Sequence, residues 1–400
     1  MIPAEQLHEE IIEKIDLREN MEDDSLVEII HQVLEEQSEM EYISLKDKME
    51  LGKELFNAFR KLDILQSLIE DEEITEIMIN GTHNIFIEKE GRIYQSDKRF
   101  VSRKKLEDMV QQIVSKVNRI VNESSPIVDA RLEDGSRVNI VLYPVALNGP
   151  IVTIRKFPKE IITMEHLLKW GSVSEEIISF LKILIRSKYN VVISGGTGSG
   201  KTTFLNALSQ YIPRDERVIT IEDSAELQIK DLPNLVRLES RNANVEGKGE
   251  ITIRDLIKSA LRMRPDRIIV GEVRGEEAID MLQAMNTGNE GSLSTGHANS
   301  PKDMLSRLET MVLMGMEIPL AAVQRQIASA VDIIIQLGRF RDKSRKVVSI
   351  AEVTGYENGE IRMNTLYEFI EKEVKDGKIT GEWIRKNEIV KKDKLLAAGY

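Results

Sequence analysis

The chain has no cysteine in its 400 residues. That single absence excludes zinc ribbons, iron–sulfur clusters, thiol catalysis and disulfide scaffolds, and it fits a reducing compartment. Long apolar runs are missing as well. No stretch approaches the roughly 18 consecutive apolar residues that span a bilayer. The first helical stretch is interrupted by acids, so no signal peptide is expected. Positive charge is in deficit: 55 Lys and Arg stand against 67 Asp and Glu, a formal net charge of −12. The deficit is local. Residues 1–40 hold thirteen acids against Lys14 and Arg18, and the remainder is close to neutral. A protein that lives on phosphate backbones usually carries a net basic domain, so nucleic acid is not an expected partner, although a local basic channel stays compatible. Internal repeats, low-complexity tracts and the Asn/Thr-Lys-x-Asp motif that reads guanine are also absent.

What is present suits a soluble globular chain: 41% hydrophobic and 30% charged residues. The length predicts two or three domains at about 150 residues each. Residues 1–60 read as an acidic helical segment. Leu7, Ile11, Ile12 and Ile15 recur at helical spacing, and Ser25 with Glu28 forms a capping box ahead of Leu26, Ile29, Ile30 and Val33. Its charged faces suit solvent or a docking partner. From Ile74 the period changes to two, with a hairpin signal at Asn80-Gly81. Residues 61–157 therefore read as an α+β domain, including a helix at Lys104–Val121 and strands at Val128–Leu132, Arg137–Leu142 and Ile151–Phe157. Residues 158–173 read as a linker. In residues 174–400 a helix from Ser174 precedes apolar strands that alternate with helices, the pattern of a mostly parallel α/β sheet. Strands are expected at Asn190–Ser194, Val218–Ile221, Val236–Leu238, Arg267–Val270, Ser292–Ser294 and Ile333–Leu337. A small antiparallel appendage is expected at Lys346–Thr354 and Glu360–Thr365.

The strongest chemical signal is Gly195-Gly196-Thr197-Gly198-Ser199-Gly200-Lys201-Thr202, followed by the helix-like run from Thr203. It is a G-x-x-x-x-G-K-S/T phosphate loop between an apolar strand and a helix, the context that gives the motif meaning. Glycines let backbone N–H groups converge on phosphate oxygens, and the helix N-terminus adds its positive end. Lys201 is expected on the β- and γ-phosphates of ATP, and Thr202 on Mg2+. A second strand, Arg267–Val270, ends at Gly271-Glu272 as a Walker B element does. Glu272, which stands where Asp is usual, is placed to orient metal-bound water or accept its proton. Between these motifs another strand runs into Glu222, Asp223 and Glu226, three carboxylates that could polarise the attacking water or form an ordinary polar loop. A fourth element, Gly288–Asn299, ends its short strand at His297, either a γ-phosphate sensor or a packed structural histidine. His8, His31, His83 and His166 show no metal-ligand spacing.

Taken together these runs resemble the secretion ATPases of the type II/type IV secretion and pilus superfamily. The signature is Leu261–Gly275, with Glu222–Glu226 matching that family's Asp box and Gly288–Asn299 its His box. Asn289 and Gly296 depart from the commonest His-box residues. Val128–Pro144, Gly149–Phe157 and Arg237–Glu250 resemble the CpaF-like ATPase of tight-adherence (Flp) pili in particular. The resemblance implies a cytoplasmic homo-hexamer, peripheral at the inner face of the membrane, that works with inner-membrane platform proteins of a pilus or secretion machine. It implies a RecA-like P-loop ATPase domain preceded by an α+β, PAS-like N-terminal domain. It also implies arginines reaching the phosphates from that domain, at Arg131, Arg137 and Arg155, with Arg264 and Arg274 near Walker B. The rival readings are a conjugation-type (type IV secretion) ATPase and a RecA-like nucleic-acid translocase. A small-molecule kinase would not explain the two boxes, and a non-catalytic scaffold would not retain Lys201, Thr202 and Glu272.

Overall fold

In the computed structural model the chain is described over residues 23–400, except 41, 61, 90, 117–119, 158–159, 242 and 244–247; before residue 23 only Leu7, residues 10–12 and Lys14 are described. Expectations for His8, Ile15, the end of the Lys104–Val121 helix, Pro158 and part of Arg237–Glu250 lie outside the described residues. The chain divides into two compact units, Met1–Lys159 and Glu160–Tyr400.

In the first unit, Asp23–Met40 and Leu45–Arg60 are helices. They share a small core of Leu7, Ile11, Leu26, Ile30, Val33, Leu34 and Leu55, the apolar stripe that helical spacing predicts. The chain is already helical at Asp23, so Ser25 lies inside the first turn and does not cap it; Asp23 and Asp24 supply the favourable negative charge there. Six strands follow: β1 (Ile74–Asn80), β2 (Asn84–Lys89), β3 (Arg92–Gln95), β4 (Ile127–Arg131), β5 (Arg137–Val141) and β6 (Ile151–Arg155). They form one antiparallel sheet in the order β3-β2-β1-β6-β5-β4. Ile77, Ile79, Val138, Ile140, Val152 and Ile154 bury one face against Leu106, Val110 and Ile113 of the helix Arg103–Lys116. Residues directly opposite each other in antiparallel strands share a face. The register pairs Arg131 with Arg137 and Arg137 with Arg155, so the three arginines form one row on the face opposite the core.

The second unit is built on β7 (Val191–Gly195), β8 (Val218–Glu222), β9 (Leu235–Glu239), β10 (Arg267–Val270), β11 (Leu293–Gly296), β12 (Ile333–Arg339), β13 (Arg345–Glu357), β14 (Glu360–Lys375) and β15 (Lys378–Arg385). The sheet order is β15-β14-β13-β12-β7-β11-β10-β8-β9. The six strands from β12 to β9 are parallel, and the last three continue antiparallel. β7, β8, β10 and β11 are buried along their whole lengths, which explains the apolar runs of β7, β8 and β10. Alternate positions along the strands feed two cores. Val191, Ile193, Ile333 and Ile335 face one layer of helices, while Val192, Ile219, Ile221 and Ile334 face the other.

Two expectations need correction. Residues 158–173 are not simply a spacer. Met164 and Leu167 of the helix Met164–Lys169, together with Val173, are buried in the first of those cores. The C-terminal strands are longer than a small appendage, because β13 pairs along β12 and so extends the central sheet itself.

One buried charge pair organises the N-terminal end of β10. Arg267 is fully buried; its Nη2 donates to Glu216 Oε1 at 2.9 Å, its Nε to the other carboxylate oxygen, and its Nη1 to the Gly291 carbonyl at 3.2 Å. Gly291 is glycine for this reason as well as for its φ of +81°: a Cβ there would sit 2.4 Å from Nη1 of Arg267. Removing one partner of such a pair strands the other charge in an apolar interior. Arg267→Met is expected to cost about 3–5 kcal/mol, read in urea unfolding of the second unit, and Arg267→Met with Glu216→Leu should recover most of the loss.

Candidate active site

The parallel strands bring their C-terminal ends to one edge, the place where open α/β sheets bind ligands. From β7 the chain turns through residues 196–200 into the helix Lys201–Ser209. Gly198 and Gly200 adopt φ of +70° and +91°, which only glycine takes without strain. Gly195 is glycine because of crowding: a Cβ would meet Ser199 Oγ at 2.5 Å and the Leu337 carbonyl at 2.8 Å. The loop backbone at Gly196, Thr197 and Gly198 is exposed, whereas Lys201 is buried, and Thr202 and Thr203 are half-buried in the first helical turn. Lys201 Nζ donates to the carbonyls of Gly195 and Gly196, each at 3.1 Å.

From Lys201 a line of polar contacts crosses the sheet in strand order. Lys201 Nζ lies 3.3 Å from Nδ1 of His297, which follows β11. His297 Nε2 lies 2.7 Å from Oε1 of Glu272, just beyond β10. The approach misses hydrogen-bond alignment, so Oε1 is buried without a hydrogen-bond partner among the described residues. The other carboxylate oxygen accepts from Arg274 Nε at 2.9 Å and Nη2 at 2.6 Å. Arg274 Nη1 in turn lies 3.7 Å from Asp223, which follows β8 and accepts from Ser240 Oγ at 2.8 Å. Neighbouring contacts fix the strand ends: Thr295 Oγ1 donates to the Gly271 carbonyl at 2.7 Å, and Gln336 Nε2 to the Ala298 carbonyl at 3.1 Å.

The Asp-box acids divide by environment. Glu222 is buried; one of its oxygens accepts the backbone N–H of Glu226 at 2.7 Å and of Leu227 at 2.8 Å. Burial raises its pKa against the opposing effect of those two hydrogen bonds. It shapes the loop that carries Glu226 and packs where a Cβ on Gly271 would lie 2.9 Å from its Cγ. Of the other arginines, Arg274 joins the site. Arg264 does not: it is exposed at φ +55° before β10, at the strand end away from Glu272. Arg131, Arg137 and Arg155 belong to the first unit. His166 caps a helix by closing a box with Thr163, while His31 and His83 are exposed. Gly296 has a local explanation: Met304 fills the space of a larger side chain, its Sδ lying 2.8 Å from the Cβ position. Motif reading missed two cations, Arg339 and Arg345, which come to the loop from a hairpin about 140 residues downstream.

The family described as "Type II/IV secretion system protein" matches residues 59–378, spanning both units. The chain belongs to that family. Similar relatives include the conjugal transfer protein TrbB of Rhizobium radiobacter, 32% identical over 74% of this chain and 88% of TrbB. The type IV secretion system protein VirB11 of Brucella suis is 31% identical over 69% of this chain and 84% of its own. Among solved structures, the Legionella pneumophila ATPase DotB shares the fold, with a TM-score of 0.51 at 22% identity over 71% of this chain and 78% of DotB. As in the sequence, no helix among the described residues of this family member is long and apolar enough to cross a membrane.

The His297 pKa is lowered, first by burial and then by Lys201, Arg274 and Arg307, against the raising effect of Glu272. An ammonium facing Nδ1 needs its lone pair, which assigns the proton of the neutral ring to Nε2, toward Glu272. Because the folded state disfavours the charged ring, the stability tied to neutral His297 is present above the unfolded value of about 6.5 and is lost as pH falls through the lower folded value. An NMR titration, with His297→Asn to assign the resonance, should give a midpoint below about 6.5; a midpoint at or above it would contradict the environment described.

Proposed function

We propose that this secretion-family protein is a Mg2+-dependent ATP hydrolase whose turnover drives a motor at the cytoplasmic face of a cell-envelope machine. The observation that carries this reading is the convergence of Lys201, His297 and Glu272 at one sheet edge, beside a loop of phosphate-cradle form. Lys201 would hold the β/γ-phosphates, and the loop N–H groups the rest of the phosphate chain. Glu272 has one oxygen held by Arg274 and the other facing His297 Nε2 at 2.7 Å, and it would take a proton from an attacking water. His297, neutral and set between Lys201 and Glu272, would register the γ-phosphate, and Asp223 with Glu226 would orient the water-side groups through Arg274.

The donor set also fits Mg2+. Among the described residues no cluster of three or more His, Asp or Glu forms a metal cage. A hydroxyl from Thr202 and the Glu272 carboxylate, completed by phosphate and water, is the kind of shell that this hard ion accepts. Mg2+ would neutralise phosphate charge there.

The remaining elements of the reading rest on family membership and motif. They are a homo-hexamer, peripheral association with inner-membrane platform proteins, and completion of the site by Arg131, Arg137 and Arg155. The acidic segment 1–60 would serve partner docking. The names of TrbB and VirB11 lean toward a conjugation-type, type IV secretion machine. The Flp pilus reading rests on the resemblance of Val128–Pro144, Gly149–Phe157 and Arg237–Glu250.

Lys201→Ala is expected to abolish phosphate release from ATP, and Glu272→Gln to keep nucleotide binding while blocking turnover. Wild-type rates from Lys201→Ala would overturn the assignment. At least one of Arg131→Ala, Arg137→Ala and Arg155→Ala should lower kcat by about 10³-fold or more with a much smaller effect on nucleotide affinity. Steady-state kinetics alongside equilibrium binding separates the two effects.

A further inference from the structure

β12 runs parallel to β7 with Leu337 opposite Gly195, so the turn from β12 to β13 leaves the sheet at the same edge as the phosphate loop. Arg339 and Arg345 pair across that turn. Arg345 Nε donates to the Gly198 carbonyl at 2.8 Å, and its Cδ lies 3.4 Å from the Cβ position of Gly200. Arg339 Nη1 lies 3.5 Å from the Cβ position of Gly198. Both arginines are exposed, and their strand is firmly rooted. The adjoining Lys346 is buried, its Nζ donating to the Gly171 carbonyl at 2.8 Å, and the Val347 N–H donates to the Ser172 carbonyl at 2.9 Å.

We infer that the β12–β13 hairpin supplies the nucleotide phosphates with cations from within the same domain, Arg345 foremost and Arg339 beside it. This inference rests on the ATPase reading above and assigns two residues to it. The two arginines flank the left-handed turns at Gly198 and Gly200, the part of a phosphate loop whose backbone faces the α- and β-phosphates. Here Arg345 meets a neutral carbonyl; a phosphate oxygen is charged and accepts a stronger, charge-assisted bond from the same guanidinium. Lys201 is buried on the opposite flank, toward His297 and Glu272. Charge is thereby divided along the phosphate chain: Lys201 at the reacting end and the hairpin at the end common to ATP and ADP. Contacts shared by substrate and product set affinity more than they set the rate of the chemical step. The same strand touches the Gly171-Ser172 segment.

The test uses the full-length chain, titrated with a fluorescent ADP analogue at several salt concentrations, and assayed for phosphate release at saturating ATP. Glutamine can still donate to the Gly198 carbonyl but carries no charge, so Arg345→Gln separates a prop from a phosphate ligand. It is expected to raise Kd about tenfold or more, with a smaller loss in kcat and a shallower dependence of Kd on salt. Arg345→Lys, which keeps charge but not the fork, should fall between, and Arg339→Gln should show a weaker form of the same change. Thermal unfolding by circular dichroism checks that each variant folds. Should Arg345→Gln fail to fold, the Kd and salt dependence of Arg345→Lys and Arg339→Gln decide the matter. Binding within about twofold of the parent with an unchanged salt dependence would overturn the proposal. Lys201→Ala in the same titration separates the two levels. If it abolishes binding while Arg345→Gln does not, only the hairpin assignment falls; if Lys201→Ala also binds like the parent, the nucleotide site itself is misassigned.

Discussion

The line from Lys201 through His297 and Glu272 to Arg274 and Asp223 is the constraint around which the second unit is arranged. Each member sits just beyond a different buried parallel strand, and the contacts follow the spatial order β7, β11, β10, β8. Moving any one strand by a single residue would turn its terminal side chain away from the edge, because side chains alternate between faces. The two helical layers that bury both faces of the sheet therefore do more than stabilise it. They hold four strand ends in one register, which a reaction dependent on sub-ångström placement requires.

Several buried charges in this unit are met by backbone groups or by an opposite charge. Glu222 closes the loop after β8, Arg267 with Glu216 closes the far end of β10, and Glu352 accepts the N–H groups of Val390 at 2.8 Å and Lys391 at 2.7 Å, tying down the C-terminal segment.

The first unit follows a different logic. Its sheet is antiparallel with one buried face, and the other face presents the cross-strand row Arg131, Arg137 and Arg155. Glu76 lies opposite Arg155 and continues that row with negative charge. The negative excess of residues 1–40 contrasts with this row within the same unit.

Much of this protein was legible in the residues. The phosphate loop, the strand leading to Glu272 and the period change at Ile74 are local signals, fixed by glycine conformations, apolar runs and turn chemistry within short windows. Local chemistry also set limits: the absence of cysteine removed whole classes of site. What the residues left open were pairings between distant segments. Spacing could not place His297 beside Lys201 and Glu272, 96 and 25 positions away, because those contacts are made by the order of strands in the sheet. Nor could it separate Glu222, consumed by its own loop, from Asp223 beside it, or divide Arg264 from Arg274, which leave opposite ends of one short strand. Arg339 and Arg345 carried no signal at all. Only the parallel pairing of β12 with β7 brings their hairpin to Gly198, and a contact made by sheet order has no counterpart in a linear motif.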